Sequence, residues 1–138
     1  MSFIFFLNIL VSFLLTGIIW TIQLVHYPSF NFVNKLNFLD FHKFHSTKIS
    51  FIVIPLMLIE FFSALALLIR DSSSSFLWIN FGLIVLIWLS TFFIQVPLHN
   101  MLSQRKDKVA ISRLVSTNWI RTTLWSIKTL FLIDQIIL

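Results

Sequence analysis

Four histidines stand where long apolar stretches of the sequence begin or end. His26 and His99 each follow such a stretch, and the motif HKFH at 42–45 precedes another. Neutral imidazole is a common ligand of transition metals, and histidines three residues apart lie near one face of a helix. We therefore expect a metal site formed by His26, His45 and His99, holding iron, copper or zinc, or the iron of a haem. His42 is expected to be solvated.

Ionisable residues also lie well inside the apolar stretches, among them Glu60, Arg121 and Lys128. Ionisable side chains in such stretches are functional candidates, because an unpaired charge is costly there. We expect catalytic roles for Glu60 and Arg121. Glu60 either pairs with Lys128 and fixes the register of two helices, or stays protonated because burial disfavours the charged carboxylate. Arg121 either binds an anion or a carboxylate, or donates to backbone carbonyls.

Polar and aromatic residues also recur at helical spacing within these stretches. Residues three or four apart share one face of a helix, so each set forms a stripe. Polar side chains that face lipid are costly, so the stripes are expected to face one another inside a bundle. They would form a polar, aromatic-walled cavity that binds the substrate through Trp20, Gln23, Tyr27, Trp88, Gln95, Asn118, Trp125 and Lys128.

The composition is typical of an integral membrane protein. Hydrophobic residues make up 58% of the 138 residues and charged residues 11%, whereas soluble domains carry about 25% charged residues. The chain has no cysteine, which excludes disulfides, iron–sulfur clusters and thiolate ligands. The basic residues flank apolar stretches, so we expect no nucleic-acid partner. Expected partners are membrane lipids, a lipophilic small molecule and either a second copy of the chain or a membrane complex.

Four stretches are long enough to cross a membrane, which takes about 20 apolar residues. They cover about 3–26, 47–69, 76–98 and 115–137. The predicted fold is a single all-α transmembrane domain over residues 1–138, an integral membrane four-helix bundle. The connection 27–46 is expected to form an amphipathic helix at the cytoplasmic interface, or a forward extension of the second helix. Pro28 and Pro97 are expected to end the first and third helices.

The distribution of basic residues predicts the orientation. An even number of spans places both termini on one side, together with the connection 70–75 and its single basic residue, Arg70. The opposite side carries Lys35, Lys43, Lys48, Arg105, Lys106, Lys108 and Arg113. Because cytoplasmic loops carry an excess of lysine and arginine, we expect the two longer connections in the cytoplasm and both termini outside, in a bacterial inner membrane.

Four motifs carry a resemblance that extends over nearly the whole chain. They are W-x-x-Q-x-x-H-Y-P-x-F at 20–30, P-x-M-x-x-E at 55–60, Q-V-P-L-H-x-x-L at 95–102 and N-W-x-R-T-x-x-W at 118–125. The chain resembles a group of small bacterial four-helix integral membrane proteins, a resemblance that implies no established activity. In size and helix count alone, it is also similar to anthrone-oxygenase-like membrane proteins and to four-helix membrane protoporphyrinogen oxidases. No residue role is carried over from either family.

Two classes of function fit these patterns. The first is a membrane oxidoreductase or cofactor-binding protein with a histidine-rich metal or haem site at the cytoplasmic end of the bundle, acting on a lipophilic substrate. The second is a non-catalytic protein that binds a lipid or isoprenoid, or an accessory subunit of a membrane complex. In that second class the histidines contact lipid phosphate or cap loops, and the tryptophans pack or anchor at the interface. Metal analysis and a haem absorption band distinguish the two classes.

Overall fold

The computed structural model describes residues 2–137, with side chains as far as Ile136. Over this range the chain forms four long helices and no strand. We number them α1 (Phe3–Ser29), α2 (Phe38–Arg70), α3 (Ser75–Leu102) and α4 (Lys108–Ile137). Helix α1 packs against α2 and α4, and α3 packs against the same two helices. The predicted all-α fold with four helices is confirmed.

The helices extend further than the predicted spans at the end that holds the two longer connections. Helix α2 begins at Phe38, so the second half of the predicted interfacial connection is a forward extension of this helix. Helices α1 and α3 continue through Pro28 and Pro97 to Ser29 and Leu102. The prediction that Pro97 ends its helix was therefore wrong, whereas α1 does end one residue after Pro28.

A π-helical turn precedes each of these two prolines. In α1 it covers Ile22–His26, and the Tyr27 amide donates to the carbonyl of Ile22. In α3 it covers Thr91–Gln95, and the Val96 amide donates to the carbonyl of Thr91. A proline ring inside an α-helix clashes with the carbonyl four residues earlier, and the wider turn relieves that clash. Both turns lie in the half of the bundle that carries the histidines.

The two longer connections contact each other at this end of the molecule. The Lys106 ammonium donates to the backbone carbonyl of Asn31 at 3.2 Å and to that of Val33. Asp107 caps the N-terminus of α4, because its Oδ1 accepts hydrogen bonds from the amides of Val109 at 2.9 Å and Ala110 at 3.0 Å. The Ala110 hydrogen bond, followed by that of Val109, lowers the pKa of this carboxyl.

The bundle buries polar side chains among an apolar core, and its outer faces are largely apolar. Three helices, α1, α2 and α3, are long and apolar enough to cross a membrane. Helix α4 carries more charge, but its polar side chains at 118, 121, 122, 128 and 129 are buried. Its outer face exposes apolar side chains at 120, 127, 130 and 136. That α4 also spans a membrane stays a prediction.

Candidate functional site

Three aromatic side chains from three helices form a hydrogen-bonded row at the end near the longer connections. Nε2 of His99 lies 3.0 Å from the hydroxyl of Tyr27, and Nδ1 of His99 lies 3.0 Å from Nε2 of His42. His42 is 2% exposed. The expectation that His42 is solvated was therefore wrong, because the forward extension of α2 carries this residue into the bundle.

The hydrogen bonds of Tyr27 determine which atom donates and which accepts at each step of this row. Arg121 has only donors, and its Nη2 donates to the Tyr27 oxygen at 3.2 Å. The phenol hydrogen is then free for Nε2 of His99, which places the ring hydrogen of neutral His99 on Nδ1. That hydrogen points to Nε2 of His42, so neutral His42 carries its own hydrogen on Nδ1. Within residues 2–137, Nδ1 of His42 has no hydrogen-bond partner.

Arg121 joins this row to a second set of polar side chains. Its Nε donates to Oδ1 of Asn118 at 3.0 Å, and its Nη1 lies 3.5 Å from the hydroxyl of Thr91. Asn118 in turn donates to Oε1 of Gln23 at 2.8 Å, and Gln23 donates to the backbone carbonyl of residue 115 at 3.0 Å. The guanidinium is only 6% exposed. Three helices therefore hold Arg121 in one orientation.

A cavity of about 420 Å³ lies beside Arg121, between all four helices. Its walls are mostly apolar and include Leu15, Ile19, Ile49, Val53, Met57, Trp88 and Trp125. Its polar lining includes Tyr27, Thr91, Gln95, His99 and Arg121. Small-molecule sites commonly combine an apolar enclosure of this size with a few fixed polar groups. The arrangement can bind an apolar molecule and orient one polar head.

Two residues that line the cavity hold buried polar atoms without a partner among the described residues. These atoms are Nε1 of Trp88 and Oε1 of Gln95. The Gln95 amide orientation follows from its neighbour: Thr117 donates to the carbonyl of Arg113 at 2.6 Å, so its oxygen accepts from Nε2 of Gln95 at 3.1 Å. Buried polar atoms normally have partners. A bound molecule with polar groups would supply them.

Two further pockets adjoin the central cavity. One, of about 330 Å³, is lined by Asp40, Lys43 and His42 and shares Ser46 and His99 with the cavity. The other, of about 380 Å³, is a groove with Gly17 and His26 in its lining, and it shares Ile18, Ile22 and Ile49 with the cavity. His99 thus separates the cavity from a polar pocket, and isoleucines separate it from an outer groove.

A buried ion pair lies deeper in the bundle. Nζ of Lys128 is 3.0 Å from Oε1 of Glu60, and both side chains are 0% exposed. The carboxylate also accepts from Ser12 at 3.0 Å and from Nε1 of Trp125 at 3.2 Å, and the ammonium donates to Ser12. Of the two alternatives for Glu60, the structure has the pair with Lys128. Neither residue lines the central cavity, although Trp125 lines it.

The three histidines predicted to share a metal fall into two separate sets. The rings of His26 and His45 are 5.1 Å apart between centroids, whereas His99 pairs with His42 and Tyr27. Both ring nitrogens of His99 are hydrogen-bonded, so neither is free to ligate an ion. Across the described part of the chain, no group of three histidine or acidic side chains is placed to hold a metal ion. The geometry gives the predicted metal site no support.

Some of the predicted substrate-binding residues line the cavity and others do not. Tyr27, Trp88, Gln95 and Trp125 line the cavity. Gln23 and Asn118 do not line it, but they hold Arg121, which does. Trp20 is 39% exposed, donates to Ser126 at 3.0 Å and packs edge-on against Trp119, so it lies outside the cavity.

Sequence reasoning missed several hydroxyl and amide residues. Ser46 and Thr91 contact the histidine row and the guanidinium. Deeper, Asn8 and Ser12 support the ion pair, with Asn8 donating to the backbone carbonyl of Glu60 at 3.0 Å. Asn8, Ser12 and Thr16 recur every four residues in an apolar helix, and this polar stripe is the signal that predicts their inward orientation.

The site therefore combines an apolar enclosure with a fixed cation, a phenol and a neutral imidazole at one end. Such a set can bind and orient a ligand, and the Tyr27–His99–His42 row can move a proton between the cavity and the polar pocket beside it. Comparisons of the chain with protein-family models, curated proteins and solved structures found no significant match.

Proposed function

We propose that this chain is an integral membrane protein that binds a lipophilic small molecule in the central cavity. Its apolar part lies against Leu15, Met57 and Trp125, and its polar head lies near Tyr27 and Arg121. The observation that carries the proposal is the largely apolar cavity of about 420 Å³ that ends at this fixed polar set. The unpartnered buried atoms of Trp88 and Gln95 support it, because a bound head group would satisfy them.

Insertion in a membrane rests on the apolar outer faces of the helices. Large apolar side chains with exposures of 83% at Phe51, 76% at Phe93 and 67% at Leu130 would be costly in water over so large a surface. Lipid removes that cost. The charged side chains inside the bundle have partners, because Glu60 pairs with Lys128 and Arg121 is hydrogen-bonded. The basic connections face the cytoplasm and both termini lie outside, in a bacterial inner membrane.

The cavity reaches the outer surface at Ile54 of α2 and Phe92 of α3, which are 51% and 55% exposed, and this opening is one route for the ligand from the lipid. The groove between α1 and α2 is a second route. Gly17 has no side chain to close this groove, and no heavy atom lies within 4 Å of where its Cβ would stand. Ile18, Ile22 and Ile49 border both the groove and the cavity. Ile18 and Ile49 are partly buried and Ile22 is buried, so passage from the groove into the cavity requires these side chains to change rotamer.

Native mass spectrometry of the full chain, released from mild detergent, tests the binding function. Wild-type protein is expected to retain a small lipophilic molecule. Val53→Trp fills part of the cavity and should abolish retention, since Val53 lines it. Ile52→Trp is the matched control, because Ile52 is the preceding residue of α2 and is 50% exposed. Empty wild-type protein, or equal retention by both variants, would overturn the proposal.

Acid–base chemistry on the bound molecule is a second candidate function. The Tyr27–His99–His42 row favours it, because it connects the cavity to the pocket beside Asp40 and Lys43. An oxidoreductase or isomerase of a lipophilic substrate needs such a proton path. Calorimetry in buffers of different ionisation enthalpy would detect proton uptake or release when the identified ligand binds. His99→Phe should abolish that proton exchange, and an unchanged proton count would exclude this candidate.

A further inference from the structure

Arg121 is a buried cation whose partners are all neutral. Its four hydrogen bonds go to Asn118 (twice), Tyr27 and Thr91. Among the described residues, the salt bridges are Arg105–Asp107 and Glu60–Lys128, so no carboxylate neutralises the guanidinium. A buried charge without a counter-charge is costly, even when its hydrogen bonds are satisfied.

The remaining buried charges do not offset this one. Glu60 and Lys128 carry opposite charges and cancel each other at 3.0 Å. Among the lysine, arginine and acidic side chains of the described residues, those that are buried are Glu60, Lys128 and Arg121. The interior of the bundle therefore carries one excess positive charge, located on the wall of the central cavity.

The cavity side of Arg121 also has unused donors. A guanidinium has five N–H groups, and the four hydrogen bonds above leave one N–H on Nη1 without a partner among residues 2–137. Nη1 faces Thr91, and Trp88 lies three residues earlier on the same face of α3. Nε1 of Trp88 is the second unused donor of the cavity wall. These two donors and the excess charge of Arg121 favour a ligand that brings acceptor oxygens. Oε1 of Gln95, the unpartnered acceptor in the same lining, needs a donor that a carboxylate does not supply, and a water molecule beside the head group would provide it.

We propose that the ligand of the cavity is a lipophilic monoanion, a hydrocarbon chain that ends in a carboxylate. The carboxylate pairs with Arg121 and accepts the free N–H groups, and the chain lies among Leu15, Ile19 and Met57. A single negative charge matches the single excess cation, whereas a phosphate monoester would add a second charge. A volume of about 420 Å³ accommodates one hydrocarbon chain. This inference rests on the proposed binding function and names its ligand class.

Binding of cis-parinaric acid and of its methyl ester to the full chain in detergent micelles tests this inference. Both molecules accept excitation energy from tryptophan, and Trp88 and Trp125 line the cavity. We expect the acid to bind roughly 10- to 100-fold more tightly than the ester, which is the range for a hydrogen bond to a charged group. Arg121→Gln should remove this preference, and Arg121→Lys should keep part of it.

Arg113→Gln is the matched control, because Arg113 lies on the same helix and is exposed. It removes one positive charge and should leave the preference unchanged. If Arg121→Gln does not fold, the comparison of acid with ester on wild-type protein still decides. If acid and ester bind equally tightly, and Val53→Trp abolishes the binding of both, the anion inference is overturned and the binding function stands. No binding of either molecule would overturn the inference, and empty protein in native mass spectrometry would in addition overturn the binding function.

Discussion

The hydroxyl of Tyr27 and Nε2 of His99 lie 3.0 Å apart, although 72 positions separate these residues in the chain. Tyr27 directly follows the π-helical turn of α1 and precedes Pro28, and His99 lies four residues after the π-helical turn of α3 and two residues after Pro97. The two helices thus reach the same level with the same local distortion. This hydrogen bond connects the buried cation to the histidine row, so it couples the charge of the site to its acid–base groups.

Tyr27→Phe is expected to lower the free energy of unfolding by about 1–3 kcal/mol. The change removes the hydroxyl between Arg121 and His99 and leaves a buried donor and a buried acceptor without partners. Chemical unfolding of the variant and of the wild-type protein in detergent micelles measures this difference in the free energy of unfolding. Thr21→Val is the control, because the hydroxyl of Thr21 is exposed and donates within its own helix to Gly17 at 3.0 Å. A loss no larger than that of the control would contradict the coupling.

Glu60→Gln alone is expected to destabilise the fold by about 3–5 kcal/mol, because it leaves the Lys128 ammonium buried without its counter-charge. The double variant Glu60→Gln with Lys128→Met should be more stable than Glu60→Gln. A buried ion pair replaced as a unit leaves no unpaired charge. A double-mutant cycle compares the unfolding free energies of the wild-type protein, the two single variants and the double variant. Additive losses would show that the two side chains do not interact.

Much of the fold follows from the sequence, because membrane-length apolar stretches and inward polar stripes are strong patterns. The stripes of α3 and α4 were expected to face the inside of the bundle, and Gln95, His99 and Arg121 line one cavity there. The pairing of Glu60 with Lys128 was one of the two alternatives that the sequence left open, and the structure has it. The positions of these residues in the bundle depend on helix length and periodicity, and both can be read from a single sequence.

The identities of the contacts did not follow from the sequence. His42 rather than His45 meets His99, because the start of α2 and the π-helical turn of α3 set the rotation of the two helices. A π-helical turn inserts one residue and rotates everything beyond it by about 100°, which helical periodicity alone does not predict. For the same reason Trp20, which lies before the turn of α1, faces outward while Tyr27, after the turn, faces inward.

A disulfide between cysteines placed at Thr16 and Thr129 is expected to form readily. Their hydroxyl oxygens are 2.7 Å apart, so cysteine sulfurs at the same positions can reach bonding distance with a small adjustment. The natural chain has no cysteine, so no other thiol competes. Copper phenanthroline oxidation followed by gel mobility reports the cross-link. Thr16→Cys with Leu130→Cys is the control, because Leu130 is 67% exposed and faces away; a cross-link there instead would place α4 in a different rotation.

Single cysteines at Ser73 and Ser103 are expected to react on opposite sides of the membrane. Both residues are exposed, and they flank α3, whose 28 residues span about 42 Å. The connection that holds Ser103 carries Arg105, Lys106 and Lys108 and should face the cytoplasm. A membrane-impermeant maleimide added to intact spheroplasts should therefore label Ser73→Cys at once. Ser103→Cys should react only after permeabilisation. The reverse pattern would invert the orientation, and labelling of both cysteines in intact spheroplasts would contradict a membrane-spanning α3.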